Sequence, residues 1–470
     1  MIFEESKMHN TVFSVISDEV LTHFKVIIKN PISFSFLVIG FLNALLTFYP
    51  GSMSVDSYNQ FYQAVSGVYD DWHPPVMAWL WRHLLWIKEG PQPMLLLHLG
   101  LFWGGLYLIW RMLAEKKSWC RILVPMIGFM PPVIGMVGVI WKDIGLGSTI
   151  LMTIGLWNSL QDHFKLRAFL VSLLLIYASW VRHNSIALTA PFIMAIPWFP
   201  DFPSDIKSRK SPRYRLGLGV VLVLTVVVAN KIFDYRILEA HRTFPITGLI
   251  LNDISKIEEE TQQEILPEIF KTKNYSKDKV HLAVNDRNTW RMIYPGDAPV
   301  RIPPGEKENS ELKQLWLSNI FLHFTPYMKY RWFHFQSLMR MGYGQCYANH
   351  FYMPEKFGGG LSYMKSWRNY LDEKTTQWAA DTPLFSGWFY MVFALIGLGL
   401  SFWSGNKNNL LAQLCFVSVL SYPISYFLSS VSCDLRYVWP VTFITAIGWV
   451  LLLADLKIPK LGKKLISFSR

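Results

Sequence analysis

The chain has 470 residues, of which 51% are apolar, 16% aromatic and 17% charged, with a net charge of +12 at pH 7. A soluble globular domain carries about 25% charged residues, so this composition excludes that class and describes an integral membrane protein. The positive charge does not point to nucleic acid, because the basic residues cluster between apolar runs and have a topological explanation there.

From the N-terminus, Met1 to Asn30 carries Glu4, Glu5, Lys7, Asp18, Glu19, Lys25 and Lys29. It lacks the short apolar core and small-residue cleavage site of a signal peptide, so the first span is expected to stay as an anchor. Apolar stretches near the spanning length of about 20 residues fall at 31–49, 93–112, 122–140, 144–160, 166–181, 185–200, 215–233, 385–404, 409–430 and 437–455. They predict about ten helices. The stretch 74–88, PPVMAWLWRHLLWIK, is apolar but short and contains Arg82, His83 and Lys88, which predicts an interfacial helix.

Charge asymmetry supports that choice. With 74–88 on the surface, one side of the membrane receives Arg111, Lys116, Lys117 and Arg121; Lys165 and Arg167; Lys207, Arg209, Lys210, Arg213 and Arg215; Lys407; and Lys457, Lys460, Lys463 and Lys464. The short loops opposite hold only Lys142, Arg182 and Arg436. The positive-inside rule then places both termini in the cytoplasm. Three parts follow: residues 1–233, a membrane module with its first outer loop at 50–92; residues 234–384, outside the membrane; and residues 385–470, the last helices and a basic tail.

Within 234–384, Asp253 to Lys307 is polar, with turn signals at Pro295-Gly296 and Pro303-Pro304-Gly305, and predicts a small solvated domain. The later LWLSNIFLHFTPYMKYRWFHFQSLM is aromatic but broken by Lys329 and Arg331; it reads as helix on the outer surface, with a buried element as the alternative. Gly358-Gly359-Gly360 reads as a flexible loop without the strand and helix of a phosphate-binding loop. Cys346 and Cys433 fall on the outer side, where a disulfide is permitted, although two free thiols are the expectation. There is no cysteine cluster or paired-histidine helix of a metal site.

Polar residues beside the membrane collect on the outer side. The first loop, PGSMSVDSYNQFYQAVSGVYDDWHPP, supplies Asp56, Gln60, Asp70, Asp71 and His73; later loops supply Trp141-Lys142-Asp143, Arg182-His183-Asn184, and Asp434, Arg436 and Tyr437. Carboxylates next to lipid are costly and read as functional, against the plain alternative of a solvated loop acid. A cation at the centre of a span costs about 2.5–3.5 kcal/mol, so these cations are expected to line an aqueous cavity or meet a charged ligand, against the alternative of snorkelling side chains. A lipid-linked sugar phosphate fits both signs. Transfer of its sugar needs a carboxylate to take the acceptor proton, and a phosphate leaving group needs cations rather than a strong acid.

Asp56, then Gln60 about a turn later, then His73-Pro74-Pro75 opening a juxtamembrane helix, resembles the C-type superfamily of polytopic glycosyltransferases that use polyprenyl-phosphate sugars. The resemblance covers the organisation of most of the chain but only short motifs in detail, and 234–384 matches nothing in it. It implies an all-α polytopic bundle with outer-face juxtamembrane helices and a small periplasmic domain, with Asp56 as catalytic base. Asp434, Arg436 and Tyr437, followed by Pro440, resemble a late motif of bacterial members and imply a contact to the donor phosphate. Size, basic loops and span number are similar to serotype-converting O-antigen glucosyltransferases of bacteria and their phages. That likeness implies glucose transfer to lipopolysaccharide or another glycan at the periplasmic face of the inner membrane, with a donor synthase and a flippase as partners.

Several alternatives stand beside this expectation. Asp70 and Asp71 lie closer to His73 in sequence and compete with Asp56 for the role of base. Arg82, Lys142, Arg182 and Arg436 are the phosphate candidates; Gln60, His73, Asp143, His183 and Asp434 are expected to contact substrate. No cofactor is expected, while a divalent metal stays open because the carboxylates lack a diagnostic spacing. A flippase or transporter would place ionisable groups at the midplane on repeated halves, and neither is visible. An O-antigen ligase or polymerase would differ in taking a lipid-linked chain as donor.

Overall fold

The computed structural model describes residues 25–159, 163–198, 211–285, 290–293, 297–342, 355–357, 364–405 and 409–455. Lys207, Arg209, Lys210, Lys407, the lysines from Lys457 onward, Cys346, Pro295-Gly296 and Gly358–Gly360 lie outside them. Among the described residues all regular structure is helical, with three isolated backbone bridges and no strand.

The first part of the chain contains α1 (Pro31–Phe48), α2 (Val55–Ser66), α3 (Val76–Leu84), α4 (Gln92–Glu115), α5 (Leu123–Ile127), α6 (Pro131–Ile134), α7 (Lys142–Trp157), α8 (Phe164–Trp180), α9 (Ile186–Ala195) and α10 (Pro212–Ile232). Next come α11 (Ile246–Thr261), α12 (Lys277–Asn285), α13 (Glu306–Leu322), α14 (Phe324–Met339) and α15 (Lys365–Asp381). The chain then returns through α16 (Gly387–Trp403), α17 (Leu410–Ser429) and α18 (Trp439–Asp455). Proline in the first turn opens α1, α4 and α10, where its missing N–H leaves no bond unmade.

Among the described residues five helices are long and apolar enough to cross a membrane: α1, α4, Pro212–Ile237, α17 and Leu435–Asp455. The other expected crossings fall on shorter elements, α7, α8, Ile186–Trp198 and α16, and on one broken stretch. Helix α10 leaves Leu216, Val220, Val221, Leu224 and Val228 exposed, an apolar surface that suits lipid and not water.

The expected single span at 122–140 is corrected. Two short helices, α5 and α6, stand there, with Pro125, Pro131 and Pro132 interrupting the ladder because proline removes a donor and clashes with the preceding turn. The stretch still connects the two ends of the bundle. Ser118 N donates to Leu113 O at the end of α4, and Ile140 N donates to Ser52 O beyond α1. Val133, Met136, Val137, Val139 and Ile140 are all buried, the condition under which irregular backbone is tolerated at membrane depth.

The stretch 74–88 forms one short helix, α3, as expected of a segment too short to span. Nine residues extend about 14 Å, against a hydrocarbon core of about 30 Å. The helix buries Val76, Met77, Ala78 and Trp81 and leaves Trp86 outside.

Between α10 and α16 the chain builds a layer with its own core of Ile250, Leu251, Ile254, Phe270, Val280 and Met292. Asp253, expected in a solvated stretch, is instead fully buried. It accepts from Arg331 of α14 and from Trp316 Nε1 at 2.9 Å, while Arg331 also donates to Ser430 O at 2.9 Å at the end of α17. A buried carboxylate survives there because its charge is paired. Phe321, Leu322 and Phe324, at the α13–α14 junction, are exposed.

The centre of the bundle rests on α4 against α7. A Cβ on Gly105 would lie 2.7 Å from the Leu151 carbonyl carbon, and one on Gly155 would lie 2.9 Å from Gly105 O, so the missing side chains let the backbones meet. Gly100, on the same helix, faces open space. Gly105→Leu is therefore expected to cost about 1–3 kcal/mol or more through overpacking and to lower the thermal unfolding midpoint in detergent, whereas Gly100→Leu leaves it unchanged. Equal effects of the two would show that the contact is not tight.

Candidate functional site

At one end of the bundle the residues before α2 lock onto those before α7. Ser57 Oγ accepts from Ser54 N at 3.0 Å and donates to Ile140 O at 2.7 Å, and Trp141 Nε1 donates to Ser54 Oγ at 2.7 Å. Asp56 thereby sits in the first turn of α2, where the helix dipole favours negative charge. Lys142 and Asp143 open α7 directly beside it.

Three carboxylates meet around Arg436. Its Nη1 lies 2.7 Å from Asp56 Oδ2, and its Nε lies 2.9 Å from Asp434 Oδ2 and 4.0 Å from Asp143 Oδ2. The guanidinium also rides over Trp141, 4.9 Å from the ring centre. Asp143 pairs in turn with Arg182, whose guanidinium is 4.5 Å from the centre of the Tyr437 ring; Tyr437 stacks on Tyr426 at 5.4 Å.

His73 Nε2 stands 3.5 Å from Asp56 Oδ1, and Lys142 Nζ is hydrogen-bonded to His73 Nδ1. With Lys142 Nζ donating to Nδ1, the neutral ring carries its proton on Nε2, toward Asp56; burial and the nearby Arg182 push Lys142 itself well below the usual lysine range, against the pull of Asp56. Burial and the adjacent Lys142 push His73 down to about 4 against the pull of Asp56. For Asp56, burial acts to raise the pKa, but Arg436, His73 and Lys142 together hold the carboxyl well below the usual range. The site therefore contains an ionised acid beside a neutral imidazole.

These groups open into a cavity of about 630 Å³, within the size range of small-molecule sites. Its polar wall includes Asp56, His73, Lys142, Arg182, Asp434 and Arg436, along with His183 and Tyr437. Its apolar lining includes Ile246, Leu249, Ile293 and Val431. Gln60 lies beneath, in a water-sized pocket with Asp56 and His73; it is buried, and neither amide atom finds a hydrogen-bond partner among the described residues. Asp143 is fully buried behind the wall, bracing Arg182.

Three expected site residues are placed elsewhere. Arg82 donates to the carbonyls of Ala64 and Val65, both at 3.0 Å, closing the C-terminal turn of α2, where orphan carbonyls favour a cation. Gly67 ends that helix at φ +75°, and a Cβ there would lie 2.8 Å from Arg82. Asp71 accepts from Tyr235 Oη at 2.7 Å, Thr243 N at 2.6 Å and Thr243 Oγ1 at 2.8 Å. Asp70 accepts from Trp72 N at 3.0 Å within its own loop, and its backbone forms a bridge with that of His241. The Asp71 carboxylate and this backbone bridge pin the first loop to the segment after α10, and neither acid lines the cavity. Cys433 also departs from the free-thiol expectation: it is disulfide-bonded, whereas Cys120 and Cys415 are free.

Sequence reasoning missed Tyr426, Trp72, Ser432 and the 245–249 segment as cavity walls. Tyr426 had a signal, since it lies in the hydroxyl-rich SYPISYFLSS end of α17; Leu249 and Ile293 had none. Among the described residues no group of three or more His, Cys, Asp or Glu is arranged to hold a metal ion.

No protein-family profile, curated protein or solved structure matches the chain.

Histidine-labelled NMR is expected to show His73 neutral throughout the range in which an ordinary histidine titrates, between about pH 5 and 8. A His73 transition within that range would contradict the burial and the Lys142 contact.

Proposed function

We propose that the chain is a membrane glycosyltransferase that moves a single sugar from a polyprenyl-phosphate donor to a hydroxyl of a lipid-linked or surface glycan. Glucose is the first sugar to test, and the outer, periplasmic face of a bacterial inner membrane is the proposed location. The observation that carries this reading is Asp56 sharing one cavity wall with Lys142, Arg182 and Arg436 at the end of an apolar helical bundle.

In this reading Asp56 takes the acceptor proton as the acceptor oxygen attacks the anomeric carbon. The C–O bond to phosphate breaks, and its electron pair leaves with the phosphate oxygen. Lys142, Arg182 and Arg436 receive the charge that grows there, in a partly desolvated site where such contacts are strong. His73, held by Lys142, orients Asp56.

Purified protein offered a panel of polyprenyl-phosphate monosaccharides with membrane glycolipid should consume one of them. Consumption of none would sink the reading, and consumption of a lipid-linked chain instead would move the protein to the ligases or polymerases. Asp56→Asn keeps the side chain's size and is expected to lower transfer by about 10²-fold or more while the protein still binds donor. Near-normal turnover would remove Asp56 as base. Arg436→Ala should raise the apparent KM for donor, and an unchanged value would take Arg436 out of the phosphate site.

A further inference from the structure

The cations of the cavity are not equivalent. Arg436 is gripped by Asp56 at 2.7 Å and Asp434 at 2.9 Å, with Asp143 at 4.0 Å. Its two sides differ as well. Asp434 and Asp143 both lie on the Nε side as ion-pair partners, although Nε makes no hydrogen bond with either among the described residues, and Asp434 Oδ1 accepts from the Arg436 backbone N at 3.1 Å, so the Asp434 carboxylate is held within its own turn. Asp56 holds only Nη1. The forked end of the guanidinium can therefore change partners while the Trp141 and Tyr437 rings at 4.9 and 5.4 Å, with the Asp434 charge beside them, keep the group in place.

A phosphate oxygen entering the cavity competes with Asp56 for that forked end, because both are anions seeking the same planar donors. We infer that Arg436 restrains Asp56 as an ion pair and that the donor phosphate, by drawing the fork onto itself, frees the carboxylate to act as base, so that donor binding precedes removal of the acceptor proton. The inference rests on the glycosyltransferase reading and deepens it. The low pKa of Asp56 imposed chiefly by Arg436 against burial agrees with such restraint.

The step balances. The acceptor O–H proton passes to Asp56, the acceptor oxygen bonds to the anomeric carbon, and the donor's phosphodiester monoanion leaves as a phosphomonoester with one more negative charge. That extra charge strengthens the pull on Arg436 as the bond breaks, so Asp56 gains basicity in the transition state more than in the ground state, which is where an interaction accelerates a reaction.

Coupling between two ligands of one group is reciprocal. If Asp56 competes with phosphate for Arg436, removing the Asp56 charge must tighten phosphate binding. The test is calorimetric binding of a polyprenyl phosphate, the donor without its sugar, to the full chain in lipid nanodiscs. Asp56→Asn is expected to bind it about tenfold more tightly than the unmodified protein, within the 5–150-fold range of such couplings. Asp434→Asn, which removes another carboxylate from the same guanidinium, should shift affinity in the same direction and serves if Asp56→Asn does not fold. Binding that is equal or weaker in the folded variants overturns the competition and leaves the glycosyltransferase reading standing. Failure of the unmodified protein and the variants alike to bind the polyprenyl phosphate overturns that reading and the inference with it.

Discussion

One guanidinium joins three distant parts of the chain. Asp56 comes from the first turn of α2, Asp143 from the first turn of α7, and Asp434 from the turn before α18, and all three carboxylates face Arg436 within 4.0 Å. A buried charge with no partner costs several kcal/mol, so none of these segments can drift without leaving a charge exposed to a poor solvent. The same constraint explains the second pair, since Asp143 spends its other oxygen on Arg182. Arg182 then fixes the Tyr426–Tyr437 stack, and the cavity wall follows from the ion pairs more than from the helices that carry them.

The helices make that arrangement possible by bringing their ends to one level. Gly105 and Gly155 let α4 and α7 approach to backbone contact, and Gly147 makes room on α7 for the Trp439 and Phe443 rings of α18. Helix α7 is thus wedged between two neighbours, with nearly every residue buried. Lys142 and Asp143, at its tip, inherit that rigidity. Rigid support of this kind is what a site needs if donors and acceptors are to be aimed before a ligand arrives.

Much of the bundle was legible because apolar runs of spanning length have few other uses. The break at 122–140 was legible too, in Pro125, Pro131 and Pro132, but the apolar character of the run concealed it. Asp56, His73, Lys142, Arg182, His183 and Arg436 were legible as a group because an alternation of spans collects their loops at one end, and they do line one cavity. What sequence did not separate was Asp56 from Asp70 and Asp71. The distinction depends on Tyr235 and Thr243, more than 160 positions away, donating to Asp71. Arg82 was misread for a related reason: its partners are carbonyls of Ala64 and Val65, and backbone acceptors leave no mark on residue identity. Asp253 was likewise read as solvated, since nothing near it in sequence announces Arg331.

Helix α10 buries only Gly219 among its residues, where a Cβ would lie 2.7 Å from Met194 O. Its remaining positions are specified by little beyond affinity for hydrocarbon. Related chains should therefore drift freely along this helix, exchanging valine, leucine and isoleucine almost without penalty, while holding one small residue at the crossing with α9. Sequence divergence there would measure time more than function, in contrast to the tip of α7, where two adjacent positions carry both charges that the neighbouring loops are built around.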